Sequence, residues 1–212
     1  MKTFYDIILL CSNAPWSGTD GEPDGFLSVE RPIKQAIQMA HSFIWNSYDF
    51  PFKFKKQTFE TIATVKSYLK PKGQIVKVWI NGVYLSPMED VDLIDNTLGL
   101  PTHYGVNEEN ELILHPIPDK VYEVNVKYKT SLMAKNLQGE EKYNLEAELD
   151  TLNIPEDLED LYIQALITKF VVNYIADNVD EGFEPYKQSF EIAYNNLINE
   201  VKPISNITTI IL

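Results

Sequence analysis

The 212-residue chain holds a single cysteine, Cys11. An intrachain disulfide is therefore excluded, as is a zinc site built on several thiolates. Basic residues are scarce: 18 Lys and Arg, with Arg31 the lone arginine, stand against 31 Asp and Glu and leave a net charge of -13. A surface with that balance repels phosphate backbones and offers no polybasic patch to an anionic membrane. Long apolar runs are missing too, so no membrane-spanning helix is expected. Neither GxxxxGK[ST] nor GxGxxG occurs, which removes the usual glycine-rich phosphate cradles. Hydrophobic residues make up 44% and aromatics 12% of the chain, enough apolar material to exclude a disordered polypeptide. Its length buries most of the unfolded surface without disulfides or metal.

The N-terminus from Met1 to Cys11 imitates a lipoprotein leader. The imitation fails in its details, because Asp6 opens the segment, the apolar run is five residues, and Leu10 stands where cleavage needs a small residue. A short first helix with one buried face is expected, in a protein made and kept in the cytoplasm or in a particle assembled there. Residues 12–27, with three Gly and two Pro, read as a long loop. Trp16 within it packs either on its own chain or on a neighbour.

From about Ser28 to Asn46, Ile33, Ala36, Ile37, Ala40 and Ile44 recur at helical spacing. The period then changes to two, with Phe50, Phe52 and Phe54 alternating with Pro51, Lys53 and Lys55. Gln74–Ile80 and Val83–Leu85 flank Asn81-Gly82, the pair that a type I′ hairpin turn demands. Glu111–Leu114 and Val121–Lys129 read as further strands. Helix returns after an acidic stretch. Asn153-Ile154-Pro155-Glu156 resembles a capping box, and Leu158, Leu161, Tyr162, Ala165 and Val172 follow at helical spacing. A last helix places Tyr186, Phe190, Ala193, Tyr194, Leu197 and Val201 on one face. The layout predicted is helical segments at 1–49 and 150–203, an inserted β domain at 50–132, an acidic connector at 133–149, and an extended C-terminal tail at 204–212.

Catalytic groups are thinly spread. His41, His103 and His115 are scattered, and no Ser or Cys motif accompanies them. Cys11 lies in an apolar context that favours an inert thiol. Glu89, Asp90, Asp92 and Asp95 imitate a calcium loop but lack its glycine and its final glutamate. Glu108, Glu109 and Glu111 surround a turn and read as solvated acids. No catalytic, cofactor-binding or metal-ligating residue is expected. The segment Ser205–Leu212 has no charge and is rich in β-branched residues, so as a free strand it invites pairing, within its own sheet or with another chain.

Several segments, in this order, resemble a known family. They are Phe43-Ile44-Trp45-Asn46 ending a helix, Val78–Leu85 (VWINGVYL), Gly99–Tyr104 (GLPTHY), Glu111–Pro118 (ELILHPIP) and Pro155–Leu166 (PEDLEDLYIQAL). Together, over roughly residues 28–200, they resemble the head-to-tail adaptor of short-tailed bacteriophages, crAss-like phages included. That family is also called tail tubular protein A or tail accessory factor. The resemblance implies an α+β fold, an antiparallel helical bundle with an inserted small antiparallel β domain. It implies a non-enzymatic structural protein of the virion, at the head–tail junction, whose copies form a homo-oligomeric ring, a dodecamer, beneath the portal protein. Such a ring meets other tail or ring proteins and lets genomic DNA pass its acidic lumen without specific binding. Contacts between subunits are expected from the loop Pro15–Gly25 with Trp16, and from Ile204, Ile207, Ile210, Ile211 and Leu212. The rival functions are a carbohydrate-binding or adhesion module of a phage tail, using exposed Tyr and Trp, and after it a hydrolase using the acidic loops.

Overall fold

The computed structural model describes residues 1–12, 26–90, 95–176 and 183–202. In chain order the elements are α1 (Phe4–Ser12), α2 (Phe26–Ser47), β1 (Phe54–Glu60), β2 (Ser67–Leu69), β3 (Gly73–Ile80), β4 (Val83–Tyr84), β5 (Ser86–Pro87), β6 (Leu98–Gly99), β7 (His103–Val106), β8 (Glu111–His115), β9 (Ile117–Pro118), β10 (Glu123–Thr130), β11 (Ala134–Lys135), β12 (Glu141–Lys142), β13 (Thr151–Leu152), α3 (Glu159–Ala176) and α4 (Phe183–Val201). The chain divides into two compact units, one formed by Met1–Phe52 with Leu132–Leu212 and the other by Lys53–Ser131.

The expected architecture needs correcting. The chain is mixed α+β, and the described residues form four sheets beside four α-helices, so it is not a helical bundle with a small inserted β domain. The helices share their unit with a three-stranded sheet in the order β12-β11-β13. Seven of the thirteen strands are two residues long, too short to carry a period-two pattern, and that is why the sequence understates the sheet. Residues 133–149, expected as a connector, contain β11 and β12 and bury Leu145.

In the helix-bearing unit one core joins Phe4, Ile7 and Cys11 of α1, Ile37, Ala40, Ile44 and Trp45 of α2, Tyr162, Leu166 and Phe170 of α3, and Leu197 of α4. Each large apolar side chain closed off here contributes about 1.5–3 kcal/mol. The stripe of α2 faces inward as its spacing demands. α3 is buried on nearly every side, from Tyr162 and Ile163 to Phe170 and Val171, because it packs against both α2 and α4. Phe50 and Phe52 do not alternate on a strand. Pro51 opens a 3-10 turn, and the two rings stack at 5.1 Å beside Tyr48 and Trp45 in the helical core. The capping-box expectation also fails: Pro155, not Asn153, is the N-cap of the turn before α3 and no side chain caps it, while the buried Asn153 amide donates to the Leu132 carbonyl and to Glu141.

The second unit is two four-stranded sheets, in the orders β1-β10-β3-β4 and β2-β8-β7-β5, with a parallel pair β6-β9. Val78, Ile80, Leu85, Leu112, Leu114, Val124 and Val126 form their core. The hairpin between β3 and β4 turns at Asn81 (φ 51°) and Gly82 (φ 79°), the two positive values of a type I′ turn. Burial alternates along β1 from Lys55 and, apart from a break at Val76–Lys77, along β3, whereas Val124, Asn125 and Val126 of the inner strand β10 are all buried.

Candidate functional site

The outward face of that sheet carries the most concentrated chemistry in the described residues. Register sets Lys56 of β1 opposite Lys127 of β10, and Lys127 opposite Lys77 of β3. Three exposed ammonium groups thus cross three adjacent strands in one row. None of the three is ion-paired among the described residues; each lies over an aromatic ring instead. Lys56 Nζ is 5.4 Å from the Trp79 ring centroid, Lys77 Nζ is 4.8 Å from that of Tyr84, and Lys127 Nζ is 5.3 Å from that of Phe54. Trp79 and Tyr84 are cross-strand neighbours with ring centroids 6.0 Å apart. Like charges directly opposite one another weaken a sheet by up to about 1 kcal/mol per pair. Cation–π contacts at exposed sites return about 0.5–1 kcal/mol each. The rings therefore offset part of the repulsion, and the three lysines remain exposed.

Charge is segregated between the units. Lys53–Ser131 contains ten lysines and ten carboxylates and is neutral, so the other unit carries the whole net charge of -13. Whole-chain charge, the basis for expecting repulsion of polyanions, conceals this local basic face.

The residues singled out in the sequence are distributed as follows. His103 and His115 sit opposite one another on β7 and β8, ring centroids 6.5 Å apart. His103 Nδ1 meets the Thr102 hydroxyl at 2.9 Å. His115 Nδ1 is buried and, among the described residues, has no hydrogen-bond partner; it lies 3.9 Å from Asp95 Oδ1. Asp95 accepts from the Thr97 amide, and its carboxyl is held below the usual range by that residue first and by His115 last. Asp92 lies outside the described residues. Glu108 and Glu109 are exposed in the turn before β8, where Asn107 accepts from the Glu111 amide. Among the described residues no group of three or more His, Cys, Asp or Glu is placed to hold a metal ion. His41 is buried on α2, and burial pushes the Cys11 thiol up to about 12. Trp16, Ile204, Ile207, Ile210, Ile211 and Leu212 lie outside the described residues, as does the Pro15–Gly25 loop.

The helix-bearing unit presents a second feature, a shallow groove along α2 lined by Met39, Ser42, Phe43, Asn46 and Ser47. Met39 is 66% exposed and Phe43 46%. Phe43 meets Phe190 of α4 edge to face at 6.1 Å, and Lys169 caps the Phe43 ring at 4.1 Å.

Sequence reasoning did not single out the lysine row. The alternation Phe54, Lys56, Thr58 marks the outward face of β1, but the alignment of Lys56 with Lys127 and Lys77 depends on long-range register. No model of a known protein family matches the chain, and no curated protein matches it.

Proposed function

We propose that this protein is a non-enzymatic structural component of a short-tailed phage particle, an adaptor that forms a ring beneath the portal and extends the DNA channel. The reading rests on the ordered segments 43–46, 78–85, 99–104, 111–118 and 155–166, whose succession resembles the head-to-tail adaptors. Supporting it, both units expose large apolar side chains, Met39 and Phe43 on α2 and Val83 (67%) and Tyr84 (62%) on the β3–β4 hairpin. A protein that fits between larger bodies needs exposed apolar contact surfaces. The charge segregation supports it too, since head-to-tail packing of identical copies brings unlike surfaces together.

The test is reconstitution with the portal of the same phage. Full-length protein mixed with purified portal should co-sediment as a defined ring visible by negative-stain microscopy, and the chain should appear in the protein complement of intact particles. Absence from particles, or a glycan array that binds the protein while portal does not, would transfer it to the adhesion class.

A further inference from the structure

We infer that the Lys56–Lys127–Lys77 sheet face of one copy docks onto the carboxylate surface flanking residues 2–5 in the helix-bearing unit of a second copy. The inference rests on the ring reading and names the contact that would build it.

The basic side is a flat sheet face with three lysines in line, none of them ion-paired among the described residues, framed by Trp79, Tyr84 and Phe54. Cross-strand lysines repel one another, and the rings beneath them supply no countercharge, so an anionic surface relieves the row further. Among the described residues of its four strands, Glu60 and Glu123, at the end of the sheet away from Phe54, are the acidic ones. The aromatic frame favours a partner that also presents apolar surface.

The acidic side has that composition. The N-terminal segment runs between two acidic stretches. The Tyr5 and Phe4 amides donate to the Glu148 and Asp150 carbonyls, Thr3 bridges Thr151, and Lys2 reaches Asp160. Exposed Glu148 lies on one flank, and exposed Glu156 and Asp157, in the turn before α3, lie toward the other. None of these three carboxylates is ion-paired among the described residues, whereas Lys142 serves Glu146 and Asp150, and Lys2 serves Asp160. Tyr5 (46% exposed) and Leu149 (53%) stand among them.

A nucleic acid is the other anion such a face fits. A second copy is favoured because this same chain concentrates its -13 on the opposite unit, at an effective abundance equal to its own. Basic and acidic surfaces on different units of one chain make a heterologous contact, which propagates and closes into a ring when its rotation divides the circle.

Sedimentation velocity on the full chain tests this. Wild type should self-associate at roughly 0.05 M salt, and association should weaken at least about tenfold by roughly 0.5 M. The variant Lys56→Glu/Lys77→Glu/Lys127→Glu should stay monomeric, as should Glu148→Lys/Glu156→Lys/Asp157→Lys. Mixed in equal amounts the two should associate again, since every contact in an alternating array then pairs unlike charges. Lys56→Gln/Lys77→Gln/Lys127→Gln, which removes the repulsion within the row, should fold if the reversal does not, and should also lose association. A wild type that is monomeric at all salt concentrations, association that ignores salt, or reversal variants that assemble like wild type would each overturn the inference. So would a single-stranded oligonucleotide that binds wild type and not the lysine variants while self-association is unchanged. Portal binding separates the two levels: if mixing rescues association but portal is never bound, the adaptor reading fails and the contact stands; if portal is bound by the reversal variants as by wild type, only the contact fails.

Discussion

The Tyr162 hydroxyl lies 2.9 Å from His41 Nδ1, across 121 residues of sequence, in the fully buried centre of the helix-bearing unit. His41 Nε2 faces the Met133 carbonyl at 3.2 Å. A carbonyl only accepts, so Nε2 carries the proton and Nδ1 accepts from Tyr162. One imidazole thus ties α2 to α3 and to Met133, the residue before β11.

Replacing Tyr162 with Phe leaves a buried Nδ1 without its donor and otherwise preserves the ring packing against His41 and Phe50. The expected loss is about 1–3 kcal/mol. Urea denaturation should show a lower midpoint at an unchanged slope.

Burial holds the His41 pKa down at about 4 against an ordinary 6.5, although the Met133 carbonyl pulls the other way. The unfolded chain therefore takes up this proton first as pH falls. The stability due to neutral His41 is complete above about pH 6.5 and is lost progressively down to pH 4, by up to about 3 kcal/mol. His41→Gln should be less stable at neutral pH but should show a flatter stability curve between those limits. Equal slopes for the two proteins would refute the assignment.

Asp150 is the keystone of the loop before β13. Its Oδ2 accepts from the Glu146 amide, the Ala147 amide and Lys142 Nζ, each at 2.8 Å. Burial opposes its ionisation, yet Lys142 and the two amides outweigh burial and hold the carboxyl below the usual range. Stability from this group is present above the ordinary carboxylate pKa and is lost as pH falls through the lower folded value. Asp150→Asn removes the charge that Lys142 and the two amides hold and should cost about 1–3 kcal/mol, read by thermal or chemical denaturation at pH 7.

Two glycines of the second unit should respond for different reasons. A Cβ at Gly73 would stand 2.2 Å from the Lys129 carbonyl oxygen, so Gly73→Ala must push β3 from β10 and should cost about 1–3 kcal/mol. Gly82 has open space but a φ of 79°, so Gly82→Ala should cost only the backbone penalty, about 1–2 kcal/mol. Thermal denaturation of both variants checks the order, and the Gly73 change should also disturb the lysine row that depends on β3–β10 register.

The long helices and the hairpin are legible in the residue pattern. Ile37, Ala40 and Ile44 recur at a spacing only a helix turns to one side, and Asn81-Gly82 supplies a local conformation that few other pairs adopt. Those signals are local, so neighbouring residues suffice to specify them. Tertiary structure alone decided the abundance of sheet, the entry of Phe50 and Phe52 into the helical core, the diversion of Asn153 from capping to the Leu132 carbonyl, and the alignment of Lys56, Lys127 and Lys77. Each depends on pairing between segments distant in the chain. Side-chain pattern marks which face of a strand is wet, but backbone hydrogen bonds are the same for every residue, and register comes only from how whole faces pack.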